Sequence, residues 1–127
     1  MSIFTKRIMI ADDNRVSLRV IQAELEHANF SNIITASDGN EILTSITYYS
    51  PDLIILDMVM PPGPGGIAVC KQLRANGYQL PIIITGDNSR PNLNYSFVAG
   101  ASDYISKPVD RDELIHRVTV HLKYGCK

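Results

Sequence analysis

Acidic, hydroxyl and basic side chains stand at the ends of separate apolar segments of this 127-residue chain. They are Asp12 and Asp13, then Asp57, Thr85 and Lys107. Each of the apolar segments has the length of a β-strand. In an open parallel sheet the carboxyl ends of the strands share one edge, so these side chains are expected to converge there.

The residue types of this set indicate chemistry on phosphate. Three carboxylates at one edge repel one another, and a bound divalent cation is the natural relief. A lysine and a threonine beside them can donate hydrogen bonds to a phosphoryl group. A carboxylate is also a competent nucleophile toward phosphorus once the incoming charge is neutralised. Asp57, at the end of the apolar run 53–56, is the candidate acceptor.

Five apolar runs of strand length alternate with segments of helical periodicity, which predicts a parallel sheet covered by helices on both faces. The runs 53–56 and 82–84 are apolar without interruption and are predicted to lie in the middle of the sheet. The predicted strands are 7–11, 32–36, 53–56, 82–85 and 103–105, and the predicted helices are 16–29, 38–49, 67–76, 91–99 and 110–122. We expect a single domain over residues 1–127.

One segment, 61–66, consists only of proline and glycine and is predicted to be a loop. A glycine-rich turn before a helix can bind phosphate, but no Gly-Lys-Ser or Gly-Lys-Thr follows here, which disfavours a P-loop. The glycines are instead expected to permit a tight turn beside the acidic edge.

Several stretches of the chain, taken in order, resemble the receiver domain of two-component response regulators (CheY-like). These stretches are 8–14, 51–61, 82–86, and 99–104 followed by Lys107-Pro108. Each is weak evidence alone, but all of them in this order are a specific signal. The resemblance covers almost the whole chain and implies a flavodoxin-like, doubly wound (βα)5 fold with a five-stranded parallel sheet of order 2-1-3-4-5.

The resemblance also implies a role for each acidic residue. Asp57 would be the phosphoacceptor. Asp13 would bind Mg²⁺ directly, and Asp12 would bind it directly or through water. The Asp57 carboxylate and the backbone carbonyl of Val59 would complete the protein ligands, since Mg²⁺ takes oxygen ligands and keeps several waters.

The remaining site residues are implied to form a switch. Lys107 would contact a phosphoryl oxygen, and its peptide bond to Pro108 would be cis. The hydroxyl of Thr85 would move toward the phosphoryl group, and the ring of Tyr104 would turn inward into the vacated space. A plain β-branched strand residue and a plain core aromatic are the structural alternatives for these two positions.

The implied function is a phosphoacceptor switch, not an enzyme, that depends on Mg²⁺ and on a separate histidine kinase or phosphotransfer protein. None of His27, His116 and His121 is a convincing donor, and all three are expected at the surface. Output would come from an output domain or a downstream protein through a face formed by the last two helices and the last strand. A homodimer through the last helices is one form of that output.

Two other classes of function compete with the switch. A Mg²⁺-dependent phosphohydrolase with an aspartyl nucleophile, similar to the haloacid dehalogenases, would need a second Asp two residues after Asp57 as general acid. Val59 occupies that position, so the proton donor is missing. A docking module that is never phosphorylated is disfavoured because every expected site residue is present.

Composition sets further limits. The net charge of −1 gives no general attraction to nucleic acid or to an anionic membrane, so neither is an expected partner. Cys70 and Cys126 do not indicate a disulfide framework. No secretory leader or membrane-spanning apolar run is apparent, and a cytoplasmic location is expected.

Overall fold

A computed structural model describes residues 2–61 and 63–125 of the chain. Its elements alternate as the sequence predicts, after a short 3-10 helix at Ile3–Thr5. In chain order they are β1 (Ile8–Ala11), α1 (Arg15–His27), β2 (Ile33–Ala36), α2 (Gly39–Tyr49), β3 (Leu53–Asp57), α3 (Gly66–Ala75), β4 (Ile82–Gly86), α4 (Arg90–Val98), β5 (Asp103–Ser106) and α5 (Arg111–Tyr124). Cys126, for which the sequence analysis expected no disulfide, lies outside the described residues.

The five strands form one parallel sheet of order β2-β1-β3-β4-β5, which confirms the predicted flavodoxin-like topology. β3 is the central strand and β4 is its neighbour, as the uninterrupted apolar runs predict. β1 is the third interior strand, and all four of its residues are buried. The order reverses between β1 and β3, and in open α/β sheets such a switch point creates a crevice at the carboxyl ends of the strands.

The core has two parts, one on each face of the sheet. Along β3, Ile54 and Leu56 pack into one part, while Leu53 and Ile55 pack into the other. The first part is completed by apolar residues of α2 and α3, and the second by those of α1 and α5. A strand buried on both faces needs apolar residues at every position, which explains the uninterrupted runs.

Helix ends depart from the predictions by one or two residues. α1 ends at His27 rather than Asn29, because Asn29 adopts a left-handed conformation with φ of 78° and cannot continue the helix. α5 continues to Tyr124, two residues past the predicted end. α3 begins at Gly66, so the last glycine of the predicted loop 61–66 is helical. Within residues 2–61 and 63–125, no helix combines the length and the apolar composition needed to cross a membrane.

Candidate functional site

The carboxyl ends of four strands bring the predicted site residues together. Asp57 is the last residue of β3 and is paired with Thr85 of β4 in the register of the sheet. Asp12 directly follows β1, and Lys107 directly follows β5. Asp12, Asp57 and Thr85 are buried, whereas Asp13 is exposed. The rigid sheet therefore fixes most of these side chains.

Asp12, Asp13 and Asp57 form an acidic cluster in which one carboxylate oxygen from each residue lies within 4.8 Å of the others. Asp12 Oδ1 accepts a hydrogen bond of 2.9 Å from the N–H of Asn14. Asp12 Oδ2 is buried and accepts no hydrogen bond from residues 2–61 and 63–125. A buried carboxylate oxygen that accepts no hydrogen bond is costly, and such oxygens are the ligands that Mg²⁺ prefers. The cluster therefore fits a divalent cation.

Lys107 is the basic partner of this cluster. Its Nζ lies 2.9 Å from Asp57 Oδ1, where it donates a charge-assisted hydrogen bond, and 3.5 Å from Asp12 Oδ2. The second contact is an ion pair without a hydrogen bond. The backbone N–H of Lys107 donates to the carbonyl of Gly86 over 2.7 Å, which positions the lysine. The Lys107-Pro108 peptide bond is cis, as the resemblance implied.

Burial and the neighbouring charges shift the pKa values of both members of the ion pair. Burial raises the pKa of Asp57, the hydrogen bond from Lys107 opposes that rise, and the negative charge of Asp12 adds to it. Burial acts to lower the pKa of Lys107, but its hydrogen bond and charge interaction with Asp57 outweigh burial and raise it. Lys107 is therefore cationic at neutral pH, and burial makes Asp57 harder to ionise than a free aspartate.

Thr85 and Tyr104 lie on neighbouring strands beside this cluster. Thr85 Oγ1 is buried and makes no hydrogen bond within the part of the chain that the structure describes. The ring of Tyr104 is buried, and its hydroxyl donates a hydrogen bond of 2.6 Å to the backbone carbonyl of Asp87. Burial raises the pKa of Tyr104, and the charges of Asp87 and Asp57 raise it further. The ring thus points inward, and the roles of both residues in switching stay predictions.

Glycines let the loop after Asp57 fold back on the strand. The N–H of Gly66 donates to the carbonyl of Met58 over 3.0 Å. A Cβ on Gly66 would lie 2.7 Å from the carbonyl oxygen of Asp57, so a larger residue would push the loop away from the acidic edge. The predicted tight turn is confirmed. The side chain of Val59 in this loop is 66% exposed, and the role of its carbonyl as a metal ligand stays a prediction.

A second polar cluster escaped the sequence analysis. Arg117 of α5 donates to both carboxylate oxygens of Asp103 on β5, at 2.8 and 2.9 Å, and to Glu113 at 3.0 Å. His121 Nε2 lies 3.0 Å from the same carboxylate. The expectation of a surface histidine is therefore wrong for His121, which is partly buried, and holds for His27 and His116. The spacing of 113, 117 and 121 was the available signal, because residues four apart share one helix face.

Comparison with known proteins agrees with this geometry. The family model for the response regulator receiver domain matches residues 8–119. The chain belongs to this family. Among solved structures, the receiver domain of the Francisella response regulator 1452 superposes with a TM-score of 0.88 at 32% identity, covering 96% of this chain and 100% of that one. Accepting a phosphoryl group is the general role of such receivers.

Similar receivers occur within longer proteins. The alkaline phosphatase synthesis transcriptional regulatory protein PhoP of Bacillus subtilis (strain 168) is 38% identical over 119 residues, which cover 93% of this receiver and 49% of PhoP. The CAI-1 autoinducer sensor kinase/phosphatase CqsS of Vibrio cholerae serotype O1 is 35% identical over 117 residues, which cover 89% of this receiver and 17% of CqsS. The receiver thus spans half or less of the length of these two relatives.

Proposed function

We propose that Asp57 of this receiver accepts a phosphoryl group from a phosphohistidine on a kinase or phosphotransfer protein. One observation carries the assignment to Asp57: Lys107 Nζ lies 2.9 Å from its carboxylate, with the carboxylates of Asp12 and Asp13 alongside. A nucleophilic carboxylate flanked by a cation and by a metal-binding cluster is the arrangement that phosphoryl transfer to Asp requires.

The step is a displacement at phosphorus. A carboxylate oxygen of Asp57 forms the new P–O bond while the P–N bond of the phosphohistidine breaks, and the bonding pair leaves with the imidazole nitrogen. Lys107 and the hydroxyl of Thr85 donate to the phosphoryl oxygens, which gives the unpartnered Thr85 Oγ1 an acceptor. Asp12, Asp13, Asp57 and the Val59 carbonyl would hold Mg²⁺, which supplies neutralisation of the phosphoryl charge.

The residue two positions past Asp57 favours the switch over a phosphohydrolase. In the hydrolase reading the residue two positions past the nucleophile donates a proton to the leaving group, and here that residue is Val59. Its aliphatic, exposed side chain has no proton to give. We therefore propose that the receiver is phosphorylated once per molecule and does not turn over substrate as an enzyme.

Because a histidine kinase phosphorylates its histidine from ATP, we propose that the receiver works in the cytoplasm.

Output is proposed to pass through the face of α4, β5 and α5 to an attached output domain or a downstream protein. Helix α4 exposes apolar side chains that the core does not use, among them Tyr95, Phe97 and Val98, the last 83% exposed. We propose that a second copy of the receiver covers part of this exposed apolar surface of α4, including Val98, on phosphorylation. Sedimentation velocity with and without a phosphodonor tests the dimer: association that Val98→Asp abolishes supports it, and an unchanged monomer refutes it.

Intact-mass analysis with acetyl phosphate and Mg²⁺ tests the acceptor. We expect a single added phosphoryl group in the presence of Mg²⁺, no labelling when Mg²⁺ is chelated beforehand, and no labelling of Asp57→Asn. Asp112→Asn is the matched control, because this exposed helix residue undergoes the same chemical change away from the site. Labelling of Asp57→Asn would overturn the assignment. Sustained release of phosphate from a small phosphomonoester would favour the hydrolase.

A further inference from the structure

Gly86 stands at the point where the strand of Thr85 meets the loop of Asp87. A Cβ on Gly86 would lie 2.5 Å from the hydroxyl oxygen of Tyr104 and 3.3 Å from its Cζ. Carbon and oxygen atoms that are not bonded do not approach to 2.5 Å, so any side chain at this position competes with the buried phenol for one space. The backbone of Gly86 is not in the left-handed region, so φ does not explain the glycine.

We propose that Gly86 is a positioning residue: the missing side chain at this position is what permits Tyr104 to be buried. The phenol occupies the space where a Cβ would stand, and from there its hydroxyl reaches the carbonyl of Asp87. Replacement by alanine displaces the ring, breaks this hydrogen bond and uncouples Tyr104 from the loop that follows Thr85.

The displaced ring has somewhere to go. A cavity of about 190 Å³ adjoins Tyr104 on the side of α4, lined also by Asn88, Ser89, Arg90, Leu93 and Ser106. Rotation about the side chain of Tyr104 into this space relieves the clash without unfolding the strand. The alternative relief, movement of the backbone, is opposed because the carbonyl of Gly86 accepts the N–H of Lys107 over 2.7 Å and so ties the strand to the site.

Nitration by tetranitromethane, with fragment-ion mass spectrometry to assign each tyrosine, tests the displacement. Tyr104 is buried and is expected to react slowly in the wild type, whereas the exposed Tyr48 and Tyr124 react fast. Because one net hydrogen bond is lost, we expect Gly86→Ala to speed nitration of Tyr104 roughly five- to tenfold. The rates at the partly buried Tyr49 and Tyr78 are expected to stay unchanged. An unchanged rate at Tyr104 overturns the proposal.

A second measurement separates the clash from general loosening of the fold. Thermal unfolding is compared for Gly86→Ala in the wild type and in Tyr104→Phe, which lacks the hydroxyl but keeps the ring. If the hydroxyl is the obstacle, alanine lowers the melting temperature more in the tyrosine background, and Tyr104→Phe rescues it. An equal loss of melting temperature in both backgrounds overturns the proposal. This holds even if every tyrosine of Gly86→Ala is nitrated faster, because general loosening of the fold would then explain the faster nitration. Neither measurement uses phosphorylation, so failure here is distinct from failure of Asp57 as acceptor.

Discussion

Lys107 joins the two halves of the acidic site, since its ammonium group touches Asp57 and lies near Asp12. It is partly exposed and contributes little to either core cluster. We expect Lys107→Ala to lower the free energy of unfolding by roughly 1–3 kcal/mol, because the lysine is partly exposed but its partner Asp57 is buried. Switching is expected to be impaired far more, because the phosphoryl group loses its direct cationic donor.

Urea unfolding and a phosphorylation-dependent readout, such as the sedimentation change, separate the two effects of Lys107→Ala. The control is Lys71→Ala, which removes an exposed lysine on α3 away from the site. A large loss of stability together with normal switching would contradict the assigned role.

Val59 bears on how long the phosphoryl group persists. Hydrolysis needs a water held in line with the bond to Asp57, and an aliphatic side chain two residues past the acceptor cannot orient one. Asp87 also lies near this path, but its carboxylate is held by Asn92 Nδ2 at 2.6 Å. We expect Val59→Asn to speed dephosphorylation without changing Mg²⁺ affinity, because the proposed ligand at this position is the backbone carbonyl.

The decay of the phosphorylated mass and a Mg²⁺ titration measure these two properties. Val20→Asn makes the same change on α1, at a half-exposed side chain outside the site and the proposed output face, and is expected to leave both unchanged. Equal or slower decay in Val59→Asn than in the wild type would show that this position does not govern the water.

The elements of the fold were predictable from sequence because burial of apolar side chains places them, and the pattern of apolar residues is visible within each segment. β3 and β4 are buried on both faces, so their apolar runs carry the topology almost unaided. Contacts between elements were not predictable. Arg74 of α3 donates to the carbonyls of Gly100 and Leu80, and nothing in the local pattern of α3 indicates these partners.

The acidic site shows the same division. Its residue types and order were enough to predict the convergence of Asp12, Asp57 and Lys107, because parallel strands end at one edge. The partners that tune the site were not predictable, since the approach of Gly86 to Tyr104 depends on the distance between two strands and a loop. The family resemblance implied an inward turn of Tyr104 only together with movement of Thr85, whereas the ring is already buried here.

The contacts that hold α5 against β5 are expected to weaken at low pH. Burial acts to raise the pKa of Asp103, but hydrogen bonds from His121, Arg117 and its own neighbour Tyr104 outweigh burial and lower it. A lowered pKa in the folded state means stability that is present above the unfolded value of about 3.9 and is lost as pH falls through the folded pKa. We expect Asp103→Asn to cost roughly 1–2 kcal/mol at pH 7.

Urea unfolding from pH 7 to pH 3 measures this dependence. The difference in unfolding free energy between the wild type and Asp103→Asn should shrink as pH drops below about 4, since protonation removes the same interaction. Asp112→Asn, on the exposed side of α5, should show no such difference. A difference that stays constant with pH would contradict the role of the charge.

Ionisation of Asp57 is expected to lower the stability of the whole receiver as pH rises, which is opposite to the effect of Asp103. A carboxyl with a raised folded pKa binds its proton more tightly in the folded state, so its ionisation costs folding free energy above that pKa. Without Mg²⁺ at pH 7, Asp57→Asn is therefore expected to be more stable than the wild type, and the difference should shrink toward pH 4.

Adding Mg²⁺ should stabilise the wild type by about 2.7 kcal/mol at about a hundred times its dissociation constant, and Asp57→Asn much less. Thermal unfolding over a series of Mg²⁺ concentrations measures this, with chelated, Mg²⁺-free samples as the reference. Equal stabilisation of both proteins would show that Asp57 is not a ligand. Asp13→Ala, which removes an exposed carboxylate of the cluster, should lose the Mg²⁺ response as well.

The unpartnered hydroxyl of Thr85 also has a consequence for the life of the protein in a cell. A buried polar atom without a partner lowers the stability of the idle receiver, by about 1–3 kcal/mol on the usual scale. Proteases degrade a protein through its transiently opened forms, so stability sets the rate of turnover. A phosphoryl group that satisfies Thr85 would slow this turnover, and an active kinase would thereby raise the abundance of its own target as well as its activity.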